Sequence, residues 1–192
     1  CDLSTLMRVY SQMGGLYQRV AAFENERIAD SNAERLAWQI GDTISALRLM
    51  WAQACCLYDS RNQSEAIMIL DSIAQFTEKN GIQEDPDLIY PIKTDYYLER
   101  KDIKCAEILL REYEYKTGIL TESLDTLNYD MAHFYLKGKY YNIAQKPDSA
   151  IQMFNKLSHL IELRPLYTSQ RHGLKEVSYQ GLTEAYSLKH NP

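Results

Sequence analysis

The chain has few of the features that mark a catalytic or nucleic-acid-binding protein. It contains neither GxGxxG nor GxxxxGK[ST], so no phosphate-cradling loop is written in it, and no GxSxG nucleophile elbow. Its histidines, His133, His159, His172 and His190, include no pair at i, i+3 or i, i+4 spacing, which excludes a zinc-binding helix face. His159 and Glu162 share a helix face, but two ligands do not make a site. The cysteines Cys1, Cys55, Cys56 and Cys105 show no CxxC spacing, and adjacent residues such as Cys55 and Cys56 seldom pair. They are expected as small apolar side chains. Basic runs are missing and the net charge is -5, which excludes a surface that tracks nucleic-acid phosphates. The longest wholly aliphatic stretches, such as Ile67 to Leu70, are far too short to span a bilayer. No catalytic residue, cofactor or metal is expected.

Apolar residues at helical spacing are what the chain does have. At 45% hydrophobic over 192 residues, it can bury one core or one continuous stack of repeats. Leu3, Leu6, Met7, Tyr10, Tyr17, Val20 and Ala21 fall at such spacing, with Ser4 or Asp2 as cap. Gly14-Gly15 predicts a bend or short break there. Ser31 with Glu34 reads as a capping box, opening a stretch through Leu36, Ile40, Ile44, Leu47, Trp51, Ala54 and Tyr58. A polar turn at 61–64 precedes Ala66, Leu70 and Ile73, and Gly81 reads as a C-cap. Further helices are expected at 87–100, around Ala106, Leu110 and Tyr113, at 124–140, from Pro147 to Leu163, and near 168–189. Breaks are expected at Gly118, Ser123 and Pro165. Helix should exceed roughly two thirds of the chain, against about one third in ordinary globular proteins.

The spacing is sharpest from Gly138 to Leu157: Gly138, Tyr141, Ala150, Phe154 and Leu157, with a Lys-Pro-Asp-Ser turn at 146–149. This resembles the tetratricopeptide (TPR) repeat. The resemblance implies an all-α fold, a right-handed superhelical array of antiparallel helix pairs. Ala66-Leu70-Ile73 and Ala106-Leu110-Tyr113 repeat its second half. Anchor alanines at 66, 106 and 150 stand further apart than the roughly 34 residues of a standard repeat, so the helices or their connections are longer. Tyr97, Tyr141 and Tyr186 take the aromatic slot and are expected in the core. Ala106 and Ala150 are expected packed between helices, and Ala33 exposed. The span 1–192 reads as a single helical-repeat domain, with 1–30 a capping helix or an atypical first repeat. Tyr141–Pro147 and Tyr186–Pro192 share one interval, which suggests a fragment cut mid-repeat at Pro192. The competing architecture is a non-repeating helical bundle.

Such a fold implies a scaffold that binds a protein or peptide rather than an enzyme. The pattern resembles the extracytoplasmic sensing regions of bacterial signalling proteins, in the periplasm or anchored to a membrane facing it. A cytoplasmic location is the alternative. A second reading is a lipid-anchored structural or assembly factor with Cys1 as the anchor; an arbitrary chain start is the bland reading of Cys1. In TPR arrays the inner wall comes mainly from the first helix of each pair. Carried onto this chain, that wall is Arg48, Asp95, Tyr135, Lys139, Asn142, Gln180 and Glu184. Tyr135, Lys139 and Asn142 stand three and four apart, so they can share one contact, suited to a peptide with a carboxylate or backbone groups to offer. A merely solvated helix face is the alternative.

Overall fold

A computed structural model describes residues 2–83, 85–118, 131–163 and 168–190. Among them are nine helices: α1 (Leu3–Arg19), α2 (Phe23–Gln39), α3 (Thr43–Asp59), α4 (Gln63–Asn80), α5 (Pro86–Glu99), α6 (Ile103–Thr117), α7 (Met131–Ile143), α8 (Pro147–Leu163) and α9 (Thr168–His190). Helix makes up 88% of the described residues, above the two-thirds expectation, and none of them is strand. The fold is an all-α helical repeat of helix pairs. The chain divides into two compact units, Cys1–Ile92 and Lys93–Pro192. No described helix is long and apolar enough to cross a membrane.

Local chemistry sets where the helices start. Asp2 accepts from the Thr5 N–H at 2.7 Å, Asp42 from Ser45 at 3.0 Å, and Asp102 from Cys105 at 3.1 Å. Each satisfies an amide that a helix start leaves open. Gly81 and Gly118 end α4 and α6 in the left-handed conformation, at φ 62° and 71°. Several expectations fail in the first unit. Helix α1 runs unbroken through Gly14-Gly15. Ser31 opens nothing, because it lies in the middle of α2. The apolar stretch drawn from Leu36 to Tyr58 is two helices, interrupted at Gly41 with φ +76° and restarted by Asp42. Ile40 and Ile44, which seemed to join them, flank the turn and are exposed.

One backbone device recurs. Ala21, Arg61, Lys101 and Gln145 all take positive φ, from 52° to 68°, in the short turns that close the four helix pairs. At each turn the next residue's N–H reaches back across it: Ala22 to Tyr17 O, Asn62 to Leu57 O, Asp102 to Tyr97 O and Lys146 to Tyr141 O, at 2.8–3.0 Å. This is the six-to-one bond of a Schellman motif, which satisfies carbonyls left open at a helix end. The turns supply a register for the repeat. Seven residues before each turn residue stand Gly14, Ala54, Thr94 and Gly138, all buried. Nine residues after stand Asp30, Leu70, Leu110 and Phe154, also buried.

That register explains the core of the second unit. Phe154 is 1% exposed and packs with Phe134, Ala150, Met153, Leu157, Ile161 and Ala185. Its ring lies between two glycines of neighbouring helices. A Cβ on Gly138 of α7 would come within 2.7 Å of the ring, and one on Gly181 of α9 within 2.2 Å. Both distances are below any real carbon contact, so only hydrogen fits at either position. Leu98, Ala106, Leu110 and Leu136 form a second cluster. A polar tie joins α6 to α7. Glu114 contacts His133 at 2.8 Å and also Lys137. The His133 hydrogen bond, with Lys137 beside it, holds the Glu114 carboxyl down at about 2.

Ala66, Ala106 and Ala150 are fully buried, as the repeat spacing requires. Ala33, expected exposed, is also fully buried, because it occupies the slot of Ile73, Tyr113 and Leu157 twelve residues after the turn. Tyr186, expected in the core, is 47% exposed. Pro165 and Ser123, the first part (124–130) of the helix expected at 124–140, Cys1 and Pro192 lie outside the described residues.

Candidate partner-binding surface

The second unit brings three of the seven expected wall residues together. Lys139 of α7 places its Nζ 2.6 Å from Asp95 Oδ1 of α5 and 3.9 Å from Glu99 Oε1. The same ammonium lies 5.8 Å from the centroid of the Tyr135 ring, within cation–π reach. Burial works to lower the Lys139 pKa, but the Asp95 carboxylate overrides it and the group ends above its ordinary value. Its charge is therefore already matched within the chain. Tyr135 is half-buried and packs against both apolar clusters of this unit.

Asn142 is corrected. Expected on the wall, it is 1% exposed. Its Nδ2 donates to Gly181 O and to Glu184 Oε2, each at 3.0 Å, so it ties α7 to α9. It lies one turn beyond Gly138, on the face that meets α9. Glu184 is exposed as expected but is one end of that tie. Gln180 is exposed and donates to Glu176 at 3.3 Å. Both border a shallow hollow along α9 with Lys175, Tyr179 and Leu188.

Arg48, the remaining wall residue, leads to a site that sequence reading missed. It is exposed on α3 and lines a cavity of about 890 Å³ in the first unit. Met7, Arg8 and Gly14 of α1, Glu26 and Asp30 of α2, and Leu49, Trp51 and Cys55 of α3 form its walls, with Asp42, Asp85 and Leu88. Glu26 is 2% exposed and Asp30 is 4% exposed. The Asp30 carboxylate meets Gly14 through Oδ1, which a Cβ there would approach to 2.0 Å. Phe154 meets Gly138 in the same way, so Asp30 holds the slot of a core side chain.

Electrostatically the cavity is unbalanced. Among the described residues no Lys, Arg or His forms an ion pair with Glu26 or Asp30. Burial, with the neighbouring Glu26 charge, pushes the Asp30 carboxyl up to about 6. Burial likewise raises Glu26. Glu26 Oε2 and Trp51 Nε1 are both buried without a hydrogen-bond partner. Burial pushes the Cys55 thiol up to about 12, far from the thiolate that a nucleophile requires. Among the described residues no three His, Cys, Asp or Glu side chains are grouped to hold a metal ion.

No family model matches the chain, and no curated protein does. A solved structure is similar, that of the nearly identical TPR-like repeats of a Podosopora anserina protein assigned as a kinesin light chain. It shares 12% identity with this chain, covers 99% of it and 97% of its own length, and superposes with a TM-score of 0.56. At that identity the likeness is one of fold, and the fold it shows is the TPR-like helical repeat.

Proposed function

We propose that this chain is a protein- or peptide-binding scaffold that engages its partner on the first helices of its pairs. TPR-like repeats generally mediate protein interactions and typically carry no catalysis. The observation that carries the reading here is the cavity lined by α1 and α3, whose walls hold buried polar groups with no hydrogen-bond partner among the described residues. A folded protein satisfies nearly all such groups, so a cavity that leaves them open is suited to a ligand. Arg48 borders it. Asp95, Tyr135, Lys139, Gln180 and Glu184 form the proposed partner-facing residues of the second unit.

The resemblance of the repeat pattern to extracytoplasmic regions of bacterial signalling proteins supports a finer reading. In it, the scaffold is the sensing or interaction part of a larger signalling or regulatory protein on the periplasmic side.

Site-specific photocrosslinking in the source cell tests the placement. A benzophenone side chain replaces Arg48, or Met68, which is 70% exposed on α4. Discrete polypeptide adducts are expected from position 48 and not from position 68. Adducts from position 68 alone would move the partner to the opposite helices.

A further inference from the structure

We propose that the cavity between α1, α2 and α3 receives a lysine or arginine side chain of a partner polypeptide, its cation seated on Glu26 and Asp30. The assignment rests on the scaffold reading and gives it a chemistry.

The repeat register supplies the first argument. Five residues after the turn stand Glu26, Ala66, Ala106 and Ala150. Nine after stand Asp30, Leu70, Leu110 and Phe154. Three repeats fill both positions with apolar side chains that are at most 4% exposed. The first repeat puts carboxylates in both, one helical turn apart on α2, and buries them just as deeply. A structural role would leave these carboxylates paired, since a buried charge is otherwise costly. Among the described residues no cation pairs with them, and the side chain that meets Glu26 is the Cys56 thiol.

The cavity supplies the second argument. Both residues line it, and Glu26 Oε2 is buried with no donor among the described residues. Asp42 and Asp85 also line it, against Arg8 and Arg48, so four carboxylates face two guanidinium groups. The occupant that corrects the imbalance is a cation rich in N–H donors. Among the described residues Glu26 and Asp30 form no three-ligand group with another side chain, which favours an organic cation over a metal ion. Trp51 Nε1, a donor without an acceptor, narrows the choice further. A simple amine or polyamine has no acceptor to offer it. A lysine or arginine residue does, in the peptide carbonyls beside its side chain.

Isothermal titration of the full chain tests this with defined probes. These are N-acetylated, C-amidated pentapeptides with a central lysine, arginine or norleucine flanked by glycine and serine, and spermidine. The lysine or arginine peptide is expected to bind at least tenfold more tightly than the norleucine peptide and than spermidine. Asp30→Leu, which restores the residue found at Leu70 and Leu110, should melt no lower than the parent yet bind at least tenfold more weakly. Glu26→Gln provides a second, milder variant with the same expected loss. Equal binding of lysine and norleucine peptides, undiminished binding by both variants, or spermidine binding as tightly as the peptides would each overturn the proposal. So would the absence of binding by both cationic peptides. The scaffold reading fails separately. If crosslinks at position 48 persist undiminished in Asp30→Leu, the scaffold stands and the cation site falls.

Discussion

Replacing Asp30 with leucine should stabilise the protein, and by an amount that depends on pH. The two side chains branch alike, so leucine fits the space over Gly14 without a new rotamer. In the folded chain the carboxyl titrates near 6, against a model value of 3.8. Each unit of such a shift is worth about 1.4 kcal/mol, so the ionised carboxylate costs the folded state about 3 kcal/mol. The sign follows from a folded pKa that is raised. The penalty is fully present above pH 6, shrinks as pH falls through 6, and is gone below about 3, where both states are protonated. Leucine removes it and adds about 1.5–3 kcal/mol of apolar burial. Its methyl groups are bulkier than oxygen, and overpacking on Gly14 returns about 1–3 kcal/mol. The net gain at pH 8 should be about 1.5–5 kcal/mol, and about 2.5 kcal/mol less at pH 4. Packing terms do not titrate, so the change in the gap isolates the charge. Urea midpoints of both proteins from pH 4 to 8 measure it. A gap that stays constant across that range would refute the account of Asp30.

Gly181→Ala should destabilise by about 1–3 kcal/mol through collision with the Phe154 ring. Gly173→Ala, in the same helix with nothing within 4 Å of the new methyl, should gain up to about 1 kcal/mol from helix propensity; urea denaturation giving both the same sign would remove the glycine sandwich. The depressed Glu114 pKa, about 2 folded against 4.5 ordinarily, contributes about 3 kcal/mol that is present above pH 4.5 and lost as pH falls through 2. Acid unfolding of Glu114→Gln should therefore be much flatter across that window, and parallel curves would contradict the tie to His133 and Lys137. Native Cys55 and Cys56, both pushed to about 12, should react with iodoacetamide at pH 8 orders of magnitude more slowly than in urea, as mass spectrometry after timed quenching can show. Ala33→Leu and Ala150→Leu should each destabilise by about 1–3 kcal/mol; a midpoint unchanged for either would undo the register.

Much of the fold was legible because three repeats write it in apolar residues. Ala66, Ala106 and Ala150 set the pairs, and Gly81, Pro86 and Pro147 set helix ends. The first repeat was illegible for the same reason. Its anchor slots hold Glu26 and Asp30, so a search for apolar spacing passes over α2, and Ser31 with Glu34 offers a false start. Gly41-Asp42 was the true stop-and-start signal. The wall residues were harder. Asn142 has the spacing of a surface residue, and only the approach of α9 turns it inward. Lys139 looked free because Asp95 is forty-four residues away in sequence. The cavity carried a signal too, two acids at i, i+4 on an otherwise buried face, but it has meaning only once the turns fix the register.

The four pair-closing turns are specified by a backbone angle and an amide bond, and by no side chain in common. Alanine, arginine, lysine and glutamine occupy the same joint. None of them is glycine, so each accepts a left-handed conformation that costs an L-residue about 1 kcal/mol or more. One geometry is thus shared by four turns whose residues differ. Lineages of such repeats can diverge until residue-by-residue comparison loses them, while the path of the backbone stays recognisable across almost the whole chain.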